Sequence, residues 1–181
     1  MIVQFKSKLI IYFLLSIFVI VPTHGFSGTF DEYFQQAKEG NSEAQYAIAM
    51  MYYKGEGTYQ DFNEALKWFR KAAGEGNIDA WHMLGVMYFN GEGVSQSYKQ
   101  AEKWYRKAAE FGSVAAQNNL GMMYVEGQGV SQDYKEAAYW YRKAIAQGDA
   151  RAKFNLNILY QKGVIPKDKK KINHQPTQQV K

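Results

Sequence analysis

The chain restates one pattern every 36 residues, and a repeat of that length commits it to stacked copies of one supersecondary unit. Ala44, Ala80, Ala116 and Ala152 correspond, as do Ile48, Leu84, Leu120 and Leu156, then Tyr52, Tyr88, Tyr124 and Tyr160, then Gly55, Gly91, Gly127 and Gly163. The second half of each unit runs from Ala65, Ala101 and Ala137 through Trp68, Trp104 and Trp140 to Phe69, Tyr105 and Tyr141. It closes with the pairs Arg70-Lys71, Arg106-Lys107 and Arg142-Lys143 and with Gly76, Gly112 and Gly148. One such unit cannot bury its apolar side alone, so its neighbours must cover it.

Each unit reads as two helices. Asn41, Asn77, Ser113 and Asp149 follow a glycine and are suited to cap a first helix, A, of about 13 residues that buries Ala44, Ile48, Met51 and Tyr52 on one side. Gly55, Gly91 and Gly127 end it, and Gly57, Gly93 and Gly129 let the chain reverse. A second helix, B, opens on the pairs Asp61 with Glu64, Ser97 with Gln100 and Asp133 with Glu136, whose spacing predicts reciprocal caps. Its buried face is Ala65, Trp68, Phe69 and Ala72, and the three Trp-aromatic pairs are expected to stack in succession. Ahead of the units, Phe30, Tyr33, Phe34 and Ala37 mark an N-terminal capping helix within 26–40, started by Thr29 and Glu32. No alternating run of β-branched residues suggests a strand. The fold class expected is all-α, a solenoid of antiparallel helix pairs with units at 41–76, 77–112 and 113–148 and a half unit at 149–163.

The string from Ala80 to Ala109, with Leu84-Gly85, Tyr88, Gly91, Gly93-Val94, Tyr98, Ala101 and Trp104-Tyr105-Arg106-Lys107-Ala108-Ala109, resembles the Sel-one-like repeat, a relative of the tetratricopeptide repeat. The resemblance covers 42–163 and implies a right-handed superhelix used as a scaffold for protein complexes, often in bacterial envelope settings. The first unit departs from it at Ala49, where Gly85 and Gly121 stand, and at Thr58, where Val94 and Val130 stand. In the fourth, Asn157 takes the small mid-helix position and Pro176 falls where the next tryptophan would be, so its A helix is the expected C-terminal cap. Arg151, Lys153, Asn155, Asn157 and Lys162 give that helix a polar outer side.

Outside the repeats, Lys6 and Lys8 precede an apolar run, Leu9 to Val21, broken only by Tyr12 and Ser16. Its 13 residues fall short of the ~20 that a spanning helix needs, and Thr23 and Gly25 supply small residues for cleavage. A signal peptide over 1–25 is expected, with the protein periplasmic or secreted. Retention of that segment would instead make an inner-membrane-tethered scaffold. The chain has no cysteine, which rules out disulfide staples, thiolate metal sites and thiol nucleophiles. The net charge of +5 is unevenly placed: Phe26 to Ile165 carries 15 basic and 16 acidic side chains, and Pro166 to Lys181 holds five lysines against Asp168. A basic disordered tail over 164–181 is expected to attract anionic envelope surfaces weakly, and the near-neutral body gives no nucleic-acid groove.

No cofactor or metal is expected. Gly91-Glu92-Gly93 lacks the lysine and further glycine of a phosphate loop, and the Arg-Lys pairs sit at a helix end where positive charge suits the dipole. His174 lies in the tail and His82 has no partner at ligand spacing. The feature left over is on helix A, two residues beyond the buried set and so about 200° around the helix. It carries Tyr46, Met50 and Tyr53, then His82, Val86 and Phe89, then Asn118, Met122 and Val125, and finally Phe154, Ile158 and Gln161. In the tetratricopeptide arrangement these positions line the concave groove. The expected function is a non-enzymatic adaptor that grips a protein or peptide there. The alternative is a cell-wall hydrolase of the penicillin-binding type, as regarded for cysteine-rich relatives, although their paired cysteines are missing and no nucleophile-base pair is visible.

Overall fold

The computed structural model describes residues 29–166. The expected signal peptide and nearly all of the expected tail lie outside the described residues. Within them the chain forms eight helices in series: α1 (Phe30–Lys38), α2 (Ser42–Lys54), α3 (Phe62–Gly74), α4 (Ile78–Asn90), α5 (Tyr98–Glu110), α6 (Val114–Glu126), α7 (Tyr134–Ala146) and α8 (Ala150–Gln161). Helices α2, α4, α6 and α8 are the A helices and α3, α5 and α7 the B helices; each packs on its neighbours in sequence, as a solenoid requires.

Local chemistry sets the boundaries. The side chains of Asn41, Asn77, Ser113 and Asp149 accept from the backbone N–H of Ala44, Ala80, Ala116 and Ala152, which occupies one of the free donors of each first turn. Gly127 ends α6 with a φ of 71°, and Gly129 follows at 72°, two left-handed residues that turn the chain toward α7. A Cβ on Gly129 would also run into the main chain of Tyr98 and Lys99, so this loop is seated on the first turn of the preceding B helix.

The B helices depart from the reciprocal caps expected. Asp61, Ser97 and Asp133 do accept from the first turn, yet their own N–H groups donate to the carbonyls of Tyr52, Tyr88 and Tyr124 at 2.9, 2.8 and 2.9 Å. That donor is already satisfied by the A helix of the same unit, and Glu64 pairs with Lys67 instead. Only α1 carries the complete box, with Thr29 N–H donating to Glu32 at 2.8 Å.

Ala44, Ile48, Met51, Ala65, Trp68, Phe69 and Ala72 form one buried cluster with most of their counterparts up to α6, while Ala137, Tyr141 and Ala144 of α7 join Ala152, Leu156 and Leu159 of α8 in a second. Tyr52 is half-buried rather than buried: its ring packs at a steep angle on Phe30 and on Tyr59, and Tyr59 is itself largely exposed and covers little of it. The indoles also differ from expectation. Trp68 and Trp140 are buried but Trp104 is half-buried, and their ring contacts run to Phe34 and Tyr139 rather than from indole to indole. Continuity between units comes from other residues. Buried Gln45, Trp81 and Gln117, one in each of α2, α4 and α6, donate to the carbonyls of Ala37, Ala73 and Ala109 at the end of the preceding helix. Arg70, Arg106 and Arg142 donate to the hydroxyls of Tyr88, Tyr124 and Tyr160 in the following unit at 2.9, 2.6 and 3.2 Å. The arginines therefore act as cross-braces between units, beyond the dipole role their position suggests.

At the C-terminal end, Ile165 is buried with Leu156 and Leu159. It covers a face of α8 that a further B helix covers in the other units, so Ile165 belongs to the core although the expected tail begins at 164.

Candidate functional site

The repeat places the twelve expected groove residues on one side of the A helices, and the aromatic residue of each B helix lies beneath them. That second fact changes the character of the face. Tyr46 packs on Phe69 at 5.7 Å between ring centroids, Tyr53 on Phe62 at 5.4 Å, His82 on Tyr105 at 5.7 Å and Phe89 on Tyr98 at 5.1 Å. All four are half-buried, as are Met50, Val86, Met122 and Val125, while Asn118 is buried. The stripe is thus no row of freely exposed aromatics. Phe154, 67% exposed on α8, is the ring on this side that stands out into solvent, with Gln161 also exposed and Ile158 half-buried.

The rings open this space because Gly85 and Gly121 have no side chain: a Cβ on Gly121 would meet Tyr141 Cε1 at 2.6 Å. In the first unit, where Phe69 replaces tyrosine, Ala49 is accommodated and fully buried.

Polar rungs tie neighbouring units across the face. Tyr53 Oη donates to Glu92 at 2.8 Å, Asn119 Nδ2 lies 3.2 Å from His82 Nε2, and Asn155 Nδ2 donates to Asn118 Oδ1 at 3.1 Å. Two of the rungs join a face residue to the position 37 along, one past the repeat. Asn119 and Asn155 were therefore invisible as face residues in a strict 36-residue register, and Asn155 sits in a rung rather than on a polar outer side. Burial pushes the Tyr46 hydroxyl up to about 12, helped by Asp79 and Glu43. Burial and then the bond to Glu92 push Tyr53 up to about 12. Burial holds His82 below the usual histidine range; Asp79 opposes this and Arg151 adds to it.

Between α6 and α8 the face has a shallow, open hollow of about 570 Å³ lined by Asn118, Asn119, Met122, Arg151, Phe154 and Asn155 with Ala150. Arg151 is held at the start of α8 by Asp149 at 3.0 Å. The lining offers amide donors and acceptors, one guanidinium, a thioether and an exposed ring, which suits a polypeptide segment with mixed polar and apolar contacts. Among the described residues no group of three or more His, Asp or Glu side chains converges to hold a metal. No described helix is long and apolar enough to cross a membrane.

Comparison with known proteins follows the same lines. The family model for the Sel1 repeat matches residues 42–77, 78–113 and 114–149, one residue later than the units marked by the caps. A protective antigen of uropathogenic Escherichia coli strains, c5321, which displays an SLR fold, is similar at 40% identity and a TM-score of 0.73, over 75% of this chain and 29% of that one. A Sel1 repeat protein from Oxalobacter formigenes is similar at 38% identity and a TM-score of 0.70, over 74% of this chain and 55% of that one. The chain thus spans less than a third of the first relative and just over half of the second. Helicobacter pylori cysteine rich protein B shares the fold at 20% identity and a TM-score of 0.59, over 70% of this chain and 94% of that one. No curated protein matches the chain. With its eight described helices and three matched repeats, the chain belongs to the Sel1 repeat family, whose members are typically scaffolds for protein–protein interaction.

Proposed function

We propose that this protein is an exported, non-enzymatic adaptor that takes a peptide or protein segment on the A-helix face, over the positions Tyr46 to Val125 and into the hollow beside Phe154. The observation that carries this reading is the hollow itself. It is bounded by cross-linked asparagines and an exposed aromatic ring, in a family that typically builds scaffolds. A floor tied by hydrogen bonds between units, with an exposed ring at its edge, is an arrangement from which a partner gains affinity. In this reading His82 is structural: its Nε2 lies 3.2 Å from the Asn119 amide and its ring packs on Tyr105, with Asp79 and Arg151 close enough to act on its charge.

Because Tyr46, Tyr53 and Phe89 also support the core, changing them would confound binding with folding. Phe154 and Met122 are the cleaner positions. A photo-crosslinking amino acid at Phe154 or Met122 should give a discrete protein adduct in the envelope fraction, and the same probe at Tyr59, an exposed ring of the α2–α3 loop, should not. Equal adducts at both places refute the groove. Export is tested by N-terminal sequencing of the cellular protein, which should begin near Phe26; a protein that retains Met1 is the tethered form.

A further inference from the structure

The near-neutral body conceals a separation of charge that appears once the helices are assigned to layers. The B helices α3, α5 and α7 carry ten basic side chains (Lys67, Arg70, Lys71 and their counterparts, with Lys99 and Lys135) against four acidic ones, for +6. The rest of the described chain carries five basic and twelve acidic side chains, for −7. Since α3, α5 and α7 turn their aromatic faces inward, the opposite side is exposed, and Lys67, Lys71, Lys99, Lys103, Lys107 and Lys135 are all exposed on it. Two large rings share this side: Phe111, 63% exposed at the end of α5, and Tyr139, 47% exposed on α7. Ammonium groups lie over ring faces here, Lys107 Nζ at 4.1 Å from the centre of the buried Trp81 ring and Lys143 Nζ at 5.0 Å from that of Tyr139, so the cations are held close to the layer.

We infer that the B-helix layer is a second docking surface, for the anionic phospholipid headgroups of a bilayer. Cations in several parallel rows neutralise a plane of negative charge, and they gain more from it than from one short acidic segment. Exposed rings set among long basic side chains match the headgroup level, where an aromatic body and a snorkelling lysine are each partly solvated. The sequence adds a basic tail with a net charge of +4, and the export proposed above would carry the chain past a membrane, so the choice of lipid as occupant rests on that part of the proposed function. The two layers are then complementary: the B side rests on lipid and leaves the A side open. This inference does not depend on the adaptor reading, because no residue is shared between the two faces.

The chain has no native cysteine, so single labels are site-specific. The mature protein from Phe26 to Lys181, carrying Gln100→Cys on the B side or Phe154→Cys on the A side, is labelled with a fluorophore and mixed with vesicles that contain headgroup-quencher lipid. One set has about one third phosphatidylglycerol and the other only phosphatidylcholine. On the anionic vesicles the label at 100 should be quenched and the label at 154 should not. The quenching should vanish in 0.5 M NaCl, as a surface-charge interaction must at a Debye length of roughly 4 Å. Lys99→Gln, Lys103→Gln and Lys135→Gln together, which alter exposed side chains and keep the backbone N–H that Lys135 gives to Asp133, should reduce it to the phosphatidylcholine level while the circular-dichroism melt is kept. Equal quenching at both positions, quenching at 154 alone, or quenching at 100 that survives the triple substitution or the salt overturns the inference. Complete displacement by polyglutamate at matched charge overturns it in favour of an acidic protein.

Discussion

Replacing Gly129 and Gly127 by alanine, one at a time, separates what a loop needs in conformation from what the stack needs in space. Both glycines have left-handed backbones, with φ of 72° and 71°. An alanine there costs about 1–2 kcal/mol in the folded state, and about 0.4–1 kcal/mol returns because the unfolded chain is stiffer. At Gly127 the added Cβ would meet Gln132 at 3.5 Å, an ordinary contact, so the net loss should be close to 1 kcal/mol. At Gly129 the same atom would lie 2.5 Å from the Tyr98 carbonyl carbon and 2.9 Å from Lys99 N. Those are main-chain atoms at the start of α5 and cannot rotate away. Overpacking then adds about 1–3 kcal/mol, for a total of about 2–4 kcal/mol. In a domain of this size each kcal/mol lowers Tm by about 2–4 °C, so thermal melts by circular dichroism should show a drop of about 3 °C for Gly127→Ala and about 9 °C for Gly129→Ala. Equal losses would mean that the loop is not seated on the preceding B helix, and the account of how successive units interlock would fail.

Two titrations follow from the A-helix face. His82 is held below the ordinary histidine value of 6.5, mainly by burial, so the unfolded chain binds its proton more readily. Its contribution to stability is complete above pH 6.5 and is lost as pH falls through the depressed folded value; an NMR titration should place the His82 midpoint below 6.5, and a midpoint above it would contradict the packing on Tyr105. Tyr46 and Tyr53 are raised from 10.0 to about 12, so their contribution is full below pH 10 and is lost as pH rises from 10 toward 12. Absorbance at 295 nm should show a late class of tyrosines beside an early class, and Tyr53→Phe should shrink the late one; a single transition near 10 would refute the burial of this row.

The sequence disclosed most about features that operate within a few residues. Asn41, Asn77, Ser113 and Asp149 cap helices because a side chain three positions before an N–H can reach it in any context, and Gly127 ends α6 because only its own backbone has to adopt a positive φ. The 36-residue identity of buried Ala, Leu and aromatic positions also made the stacked architecture legible, since burial recurs with the unit. It was less informative wherever the answer lay in a neighbouring unit. Nothing near Asp61 shows that its N–H is taken by Tyr52, or that Arg106 will brace Tyr124 eighteen residues on. The aromatics at Tyr46, Tyr53 and Phe89 looked free because their periodicity points away from the A-helix core, yet the B-helix rings occupy that side.

The chain alone therefore determined the number, length and ends of the helices and the existence of a repeating core, because those follow from backbone donors, glycine conformation and apolar periodicity. Tertiary structure decided which residues of a given periodicity stay in solvent, how asparagines one register apart meet, and that a nearly neutral body sorts its charge into a basic B layer and an acidic remainder. Each of these depends on how one unit is rotated and shifted against the next, a relation set by side-chain packing between units and not by any segment of the chain alone.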